Sequence, residues 1–315
     1  MAVLLAYFLV VLIWATTPLT IQWSSDSLSF IAAVLLRMSV ALAIGLAINL
    51  VLRRKLFAEA NVWQVYAAGA IGIFPNMPVV YWSAQFIPSG LVAVVFAMSP
   101  FVVGLMTLVL LKHNPFTLRR VIALCLALLG LVIIFHHQIQ FSLKSAYGIA
   151  GILLSCFLFG FSSVLVKKLN IKVDAFNQAI GTLLFALPGL VLMWWYVDGH
   201  IPTSISMKSL AAIGYLSVFG SLVGAALFFY VLAKMSPTAV SLITFMTPVL
   251  ALILGALVAN ETLSVQLWLG AGLVVAALLL YLDLSLKKAF LKGLRQKVPP
   301  KNSVLFRASE LDKFK

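Results

Sequence analysis

Arg37 is the one cation among 22 lysines and arginines that falls inside a long apolar run instead of at its end. A guanidinium at that depth is costly, which makes it a functional candidate by default, and a carboxylate is the anion it is shaped to hold. A scaffold role stays open beside that one, since the long stem can snorkel outwards and tie down helix-end carbonyls. No acid shares its depth. Asp26, Glu59, Asp174 and Asp198 fall in connections, Glu261 at the end of one apolar run and Asp283 at the end of another. Exchange of a proton for an organic cation calls for a buried carboxylate, so a neutral, zwitterionic or anionic ligand is expected. His136, His137 and His200 have no acid or cysteine to complete a ligand set, so no metal site is expected. No nucleotide-phosphate loop and no catalytic triad is present, so neither enzyme chemistry nor a cofactor is expected. Cys125 and Cys156 lie in apolar runs and read as buried, inert thiols.

The other candidates are weakly polar or aromatic. Gly148, Gly151, Ser155, Phe159 and Ser162 recur at helical spacing. So do Gly69, Gly72, Asn76 and Ser83, then Ser217, Gly220, Gly224 and Phe228, and then Pro237, Ser241, Thr244 and Pro248. Any one such stripe can be plain close packing, with hydroxyls bonding back to their own helix. Four stripes converging, with Trp14, Thr17, Tyr81, Ser99, Tyr230 and Thr247 near them, predict a weakly polar cavity with aromatic walls. Tyr81 and Tyr230 also suit an interfacial belt. Trp14 lies deeper and reads as cavity wall.

The elements that hold these residues follow from composition. The 315 residues are 63% hydrophobic and 10% charged, with mean hydropathy +1.13, whereas soluble domains carry about a quarter charged residues. Crossing the hydrocarbon core takes roughly 20 apolar residues. Runs of that kind occur at 3 to 22, 28 to 52, 62 to 84, 89 to 111, 118 to 136, 147 to 167, 175 to 197, 208 to 233, 237 to 259 and 263 to 285. The expectation is an all-α integral membrane protein of ten helices. The opening run has no basic leader and reads as the first span, not as a signal peptide.

The net charge of +14 does not form a nucleic-acid patch. With the amino terminus inside, the inner connections and tail hold 19 lysines and arginines and the outer connections hold only Lys144 and Lys208. That bias predicts both termini in the cytoplasm. Residues 287–315 form a basic tail with Phe290, Leu291 and Leu294 between cations, suited to the anionic inner leaflet or to solvent.

The chain also repeats itself. A shift of 148 positions, as from Pro100 to Pro248, superposes Gly72 on Gly220, Val92 on Val240, Met98 on Met246 and Ser99 on Thr247. Five spans are repeated, and because five is odd the second copy enters from the opposite side. Inverted halves of this kind can lean together in two ways, one open to each face. Pro100 and Pro248 each lack a backbone donor and are predicted to kink their helices at matched places, as hinges or as static bends.

The segments LIWATTP, LLRM around Arg37, SGLVAVVFAMSPFVVGLMTLVLLKH, GILLSCFLFGFSSVLVKK and SPTAVSLITFMTPVLALILGALVANETL, in this order and spacing, resemble the ten-helix EamA branch of the drug/metabolite transporter superfamily. The resemblance implies repeats at 1–138 and 146–286. It also implies a central cavity lined by the first, third, fourth, sixth, eighth and ninth spans, and transport of small organic metabolites, usually outwards. It places a glutamate at the end of each copy's fourth helix; Glu261 matches and His113 does not. Together these readings predict a secondary transporter of the bacterial inner membrane, monomeric or weakly dimeric, that exports an amino acid or similar solute. A passive facilitator is the alternative, and a membrane-embedded enzyme the third.

Overall fold

The computed structural model describes residues 2–87, 92, 95–135, 143–200, 204–250 and 265–281. Among them the fold is all α. The helices are α1 (Ala2–Ser24), α2 (Phe30–Val51), α3 (Val62–Ala70), α4 (Asn76–Ser83), α5 (Ser99–Leu111) and α6 (Leu118–Phe135). They continue with α7 (Leu143–Leu169), α8 (Ala175–Val197), α9 (Met207–Tyr215), a π-helical segment Leu216–Val223, α10 (Gly224–Lys234), α11 (Pro237–Ser241) and α12 (Val265–Tyr281). Residues 243–250 are helical again after α11. The basic tail, Glu261, His136 and His137 lie outside the described residues.

Helix starts follow local chemistry. Ser29, Asp174, Ser206 and Ser236 each sit at an N-cap, where the side-chain oxygen accepts an orphan backbone N–H of the first turn. Four stretches, Phe30–Val51, Leu143–Leu169, Ala175–Val197 and Met207–Lys234, are long and apolar enough to cross a membrane. Large apolar groups such as Leu192, Trp195 and Trp268 stand exposed on the outer surface. In water that surface would aggregate; against lipid tails it is the expected one.

The third run, expected as one helix over 62 to 84, is two. Pro75 has no N–H to donate and disfavours helical backbone at Phe74, so α3 ends at Ala70 and α4 restarts at Asn76. The carbonyls freed by the break find side chains: Ser162 Oγ donates to the oxygens of Ala68 and Gly69 at 2.8 and 3.2 Å, and Asn76 Nδ2 to that of Gly72 at 3.0 Å. Under the 148-residue shift, 71–75 falls on 219–223, inside the π-helical segment. Both copies thus depart from α-helical bonding at matched positions. Pro100 does not kink a helix from within as expected. It sits in the first turn of α5, where a missing donor costs nothing. Pro188 lies inside α8, and Pro248 lies within the helical residues 243–250.

Packing pairs helices across the two halves. α2 lies against α8 and α6 against α12; α3 and α4 lie against α7 while α9 and α10 lie against α1; α3 meets α8 while the π-helical segment meets α2. The α6–α12 crossing is a backbone contact. A Cβ on Gly130 would stand 2.6 Å from the carbonyl oxygen of Gly270, and one on Gly270 would stand 2.5 Å from that of Gly130. Cys156 is buried as expected, but Cys125 is exposed on the surface of α6. The apolar surroundings that made it look buried are those of lipid, not of a protein core.

Candidate functional site

Arg37 is 4% exposed and is gripped from two sides. Its Nε donates to Ser221 Oγ at 2.7 Å and its Nη1 to the hydroxyl oxygen of Tyr81 at 3.1 Å. Its own backbone carbonyl accepts from Ser217 Oγ at 3.0 Å. A π-helical turn carries one residue more than an α turn and bulges outwards; here that bulge presents Ser217, Gly220 and Ser221 to α2. Gly220 is needed for the approach, since a Cβ there would stand 3.0 Å from Nη2. Among the described residues the ion pairs lie elsewhere, at Arg54–Asp174, Asp198–His200 and Asp26–Lys208. The guanidinium is held by neutral hydroxyls, with no carboxylate among its described partners. An arginine bonded only to hydroxyls positions a bidentate fork without neutralising it.

Tyr81 is 2% exposed and is not part of an interfacial belt. It forms one wall of a cavity of about 350 Å³ whose other walls come from the α1–α2 connection and the end of α4, including Gln22, Ser25, Phe30 and Gln85. The cavity is therefore one tyrosine away from the charge. Trp14, Phe159 and Phe228 form a three-ring cluster. Their centroids are 6.2 Å (Trp14–Phe159), 5.4 Å (Trp14–Phe228) and 5.3 Å (Phe159–Phe228) apart. Trp14 is half-buried in this cluster, and Gly224 leaves room for its Nε1.

The remaining candidates divide. Asn76 and Ser155 are buried and face the seam between α4 and α7. Ser162 caps the broken helix as described above. Ser99 is buried against α7, its hydroxyl donating to Cys156 Sγ at 3.3 Å inside a packed apolar core; it belongs to that core and does not reach Arg37. Thr17 and Thr244 turn back on their own helices, donating to Ile13 O and Ser241 O. Tyr230 and Thr247 are half-buried, and Pro248 is buried. The structure thus joins Arg37 to Tyr81 and Trp14 to Phe159. His113 stands exposed just after α5.

Sequence reasoning missed Ser221, the closest partner of Arg37; its signal is its place four residues after Ser217. It also missed Gln178 and Thr182, again four apart. The Gln178 amide donates to Val65 O at 2.8 Å and to Thr182 Oγ1 at 3.2 Å, tying α8 to α3.

Two polar collars close the ends of the bundle. At the end carrying the α1–α2 connection, Lys208 pairs with Asp26, Ser27 Oγ donates to Ser206 Oγ at 3.3 Å and Ser209 Oγ donates to Trp23 O at 2.9 Å. At the opposite end Arg54 pairs with Asp174 at 3.4 Å and Asn49 Nδ2 donates to Asn177 Oδ1 at 2.9 Å. Asp26 and Asp174 are 148 positions apart, so equivalent acids anchor the two collars. Each collar bridges the first half of the chain to the second.

Comparison with known proteins adds four findings. The profile of the EamA-like transporter family matches residues 1–136 and again residues 146–282. Over 276 residues the chain is 27% identical to "Protein PecM" of Dickeya dadantii (strain 3937), covering 87% of this chain and 90% of that one. It is 29% identical over 200 residues, 62% of either chain, to the "Uncharacterized inner membrane transporter YedA" of Escherichia coli (strain K12). One crystal structure superposes with a TM-score of 0.72 at 16% identity, covering 94% of this chain and 99% of the other, which establishes a shared fold.

Proposed function

The chain belongs to the EamA-like transporter family, and from that premise we propose that it is a secondary transporter of a small zwitterionic or anionic solute, foremost an amino acid. It is an integral membrane protein. On this reading it works by alternating access in the bacterial inner membrane, in the direction of export. The observation that carries it is Arg37: a buried guanidinium with hydroxyl partners, one tyrosine behind an open cavity. Such a group gains most from a ligand carboxylate, which supplies the charge its protein partners lack.

Inverted halves at 1–138 and 146–286, five spans in each, are supported by the double family match and by helix pairing that repeats with the halves exchanged. The lysine and arginine bias puts both termini in the cytoplasm, so the cavity beside Tyr81 opens outwards and Arg54–Asp174 closes the inner face. Each collar then parts in turn. Flexing is concentrated where α-helical bonding is interrupted, at 71–75 and 216–223, with Pro248 as a further hinge. Pro248→Ala should slow transport severalfold without lowering thermal stability; an unchanged rate removes Pro248 from the moving parts.

Counterflow in proteoliposomes tests the mechanism. A carrier exchanges labelled for unlabelled amino acid, whereas a passive pore gives flux with no counterflow. The Ser27→Cys/Ser206→Cys pair, whose hydroxyls are in contact, should form a disulfide that abolishes counterflow until it is reduced. Full counterflow in the oxidised protein would show that this face need not open, and the reading would fail.

A further inference from the structure

Several buried hydroxyls in these helices turn back on their own backbone. Ser83 donates to Val79 O, Thr107 to Val103 O, Ser163 to Phe159 O and Ser241 to Thr238 O. Ser155 is fully buried and its Oγ has no partner; nor has Oδ1 of Asn76, which is 1% exposed. The orientation of the Asn76 amide is fixed by chemistry. Its other terminal atom lies 3.0 Å from the carbonyl oxygen of Gly72; an oxygen there would find no donor, so that atom is the NH₂ group and the free atom is an acceptor. Buried acceptors without a donor are the exception in folded proteins. Asn49 Oδ1 and Thr238 Oγ1 are likewise without a partner, but they sit at the end of the bundle that carries Asp174, away from Arg37.

Asn76 and Ser155 belong to one seam. A Cβ on Gly151 would collide with Ser83 Oγ, and one on Gly72 would stand 3.1 Å from Ser162 Oγ. These two crossings make α4 and α7 antiparallel neighbours and place Ser155 and Asn76 between them. Five residues further along α4 is Tyr81, which accepts from Arg37. One turn further along α7 is Phe159, packed on Trp14 and Phe228. A Cβ on Gly220 would meet Arg37 Nη2 and one on Gly224, one turn on, would meet Trp14 Nε1, so the charged fork and the ring cluster are neighbours, and the seam that holds the two unused acceptors carries a residue in contact with each.

We propose that Asn76 and Ser155 are the ammonium-binding half of the site whose carboxylate half is Arg37, so that the protein selects 2-amino acids over plain organic anions. The inference rests on the carboxylate reading of Arg37. Asn76 Oδ1 accepts one ammonium N–H and Ser155 Oγ a second, while the ligand side chain packs against the three rings. Both acceptors are neutral, which lets a cation bind without requiring a proton to be exchanged for it.

Three probes separate the halves: L-phenylalanine has both charged groups, 3-phenylpropionate only the carboxylate and phenethylamine only the ammonium. Calorimetric titration of the purified full-length protein should find phenylalanine the tightest. Asn76→Leu should weaken phenylalanine and phenethylamine about tenfold, the loss of roughly one charge-assisted hydrogen bond, and leave 3-phenylpropionate within about twofold. Ser155→Ala, which removes a single hydroxyl, should shift the same two probes in the same direction and serves where the leucine variant does not fold. Equal weakening of all three by Asn76→Leu, or wild-type protein that binds 3-phenylpropionate as tightly as phenylalanine, overturns the ammonium subsite while leaving the carboxylate reading intact. Binding of 3-phenylpropionate that Arg37→Gln does not change overturns the carboxylate reading, and this inference with it.

Discussion

Arg37→Gln is expected to weaken a carboxylate-bearing substrate by about a hundredfold, since a buried charge-assisted pair contributes on the order of 3 kcal/mol. A neutral analogue of the same size should lose no more than a few-fold. The fold should survive. Glutamine keeps a donor within reach of Ser221 and Tyr81 and removes the desolvation cost of a buried cation, so the melting temperature should move by only a few degrees. Binding assays with an acid and its amide, beside thermal unfolding of the same samples, separate the two roles. Equal losses for acid and amide, or a collapse in stability, would make Arg37 a tie between α2, α4 and the π-helical segment and nothing more.

The largest structural effect is expected at the α6–α12 crossing. Gly130 and Gly270 bring their backbones into contact, with each prospective Cβ within 2.6 Å of the other's carbonyl oxygen. Gly130→Val cannot be absorbed by a side-chain rotation, because the obstacle is backbone on both sides. The helices must separate, and in lipid their association rests on close van der Waals contact without a hydrophobic drive. A loss of about 3 kcal/mol or more is expected, at the upper end of what overpacking costs, seen as poor folded yield and a melting point lower by many degrees. Gly272→Ala is the control. Nothing lies within 4 Å of its prospective Cβ, so it should be neutral or slightly stabilising. Normal stability in Gly130→Val would mean that this pair of helices does not cross at these glycines.

Some glycine stripes were legible because small residues at helical spacing have one dominant use in lipid, the close approach of helices. Gly151 against Ser83, Gly72 against Ser162 and Gly220 against Arg37 all follow that rule. Cys125 shows the reverse side of the same physics. Hydrophobicity in a membrane protein does not separate a residue facing lipid from one facing a neighbour, so its exposure could not be read from its apolar surroundings. Ser99 and Ser162 bond to a thiol and to backbone carbonyls, and a hydroxyl so bonded has the same letter as one that waits for a ligand.

By itself the sequence determined the helical class, the duplication at 148 positions and the place of Arg37 within an apolar run. Those depend on composition, period and distance along one chain, which are local or nearly so. The tertiary structure alone decided that the counterpart of the break at 71–75 becomes a π-helical turn, that Ser221 and Tyr81 hold the guanidinium, and that Asn76 and Ser155 keep an acceptor free. Each of these depends on which polar atom finds a partner across 40 to 190 residues of intervening chain. In a lipid-embedded bundle, where nearly every surface is apolar, that pairing is set by three-dimensional packing and leaves little trace in the order of residues.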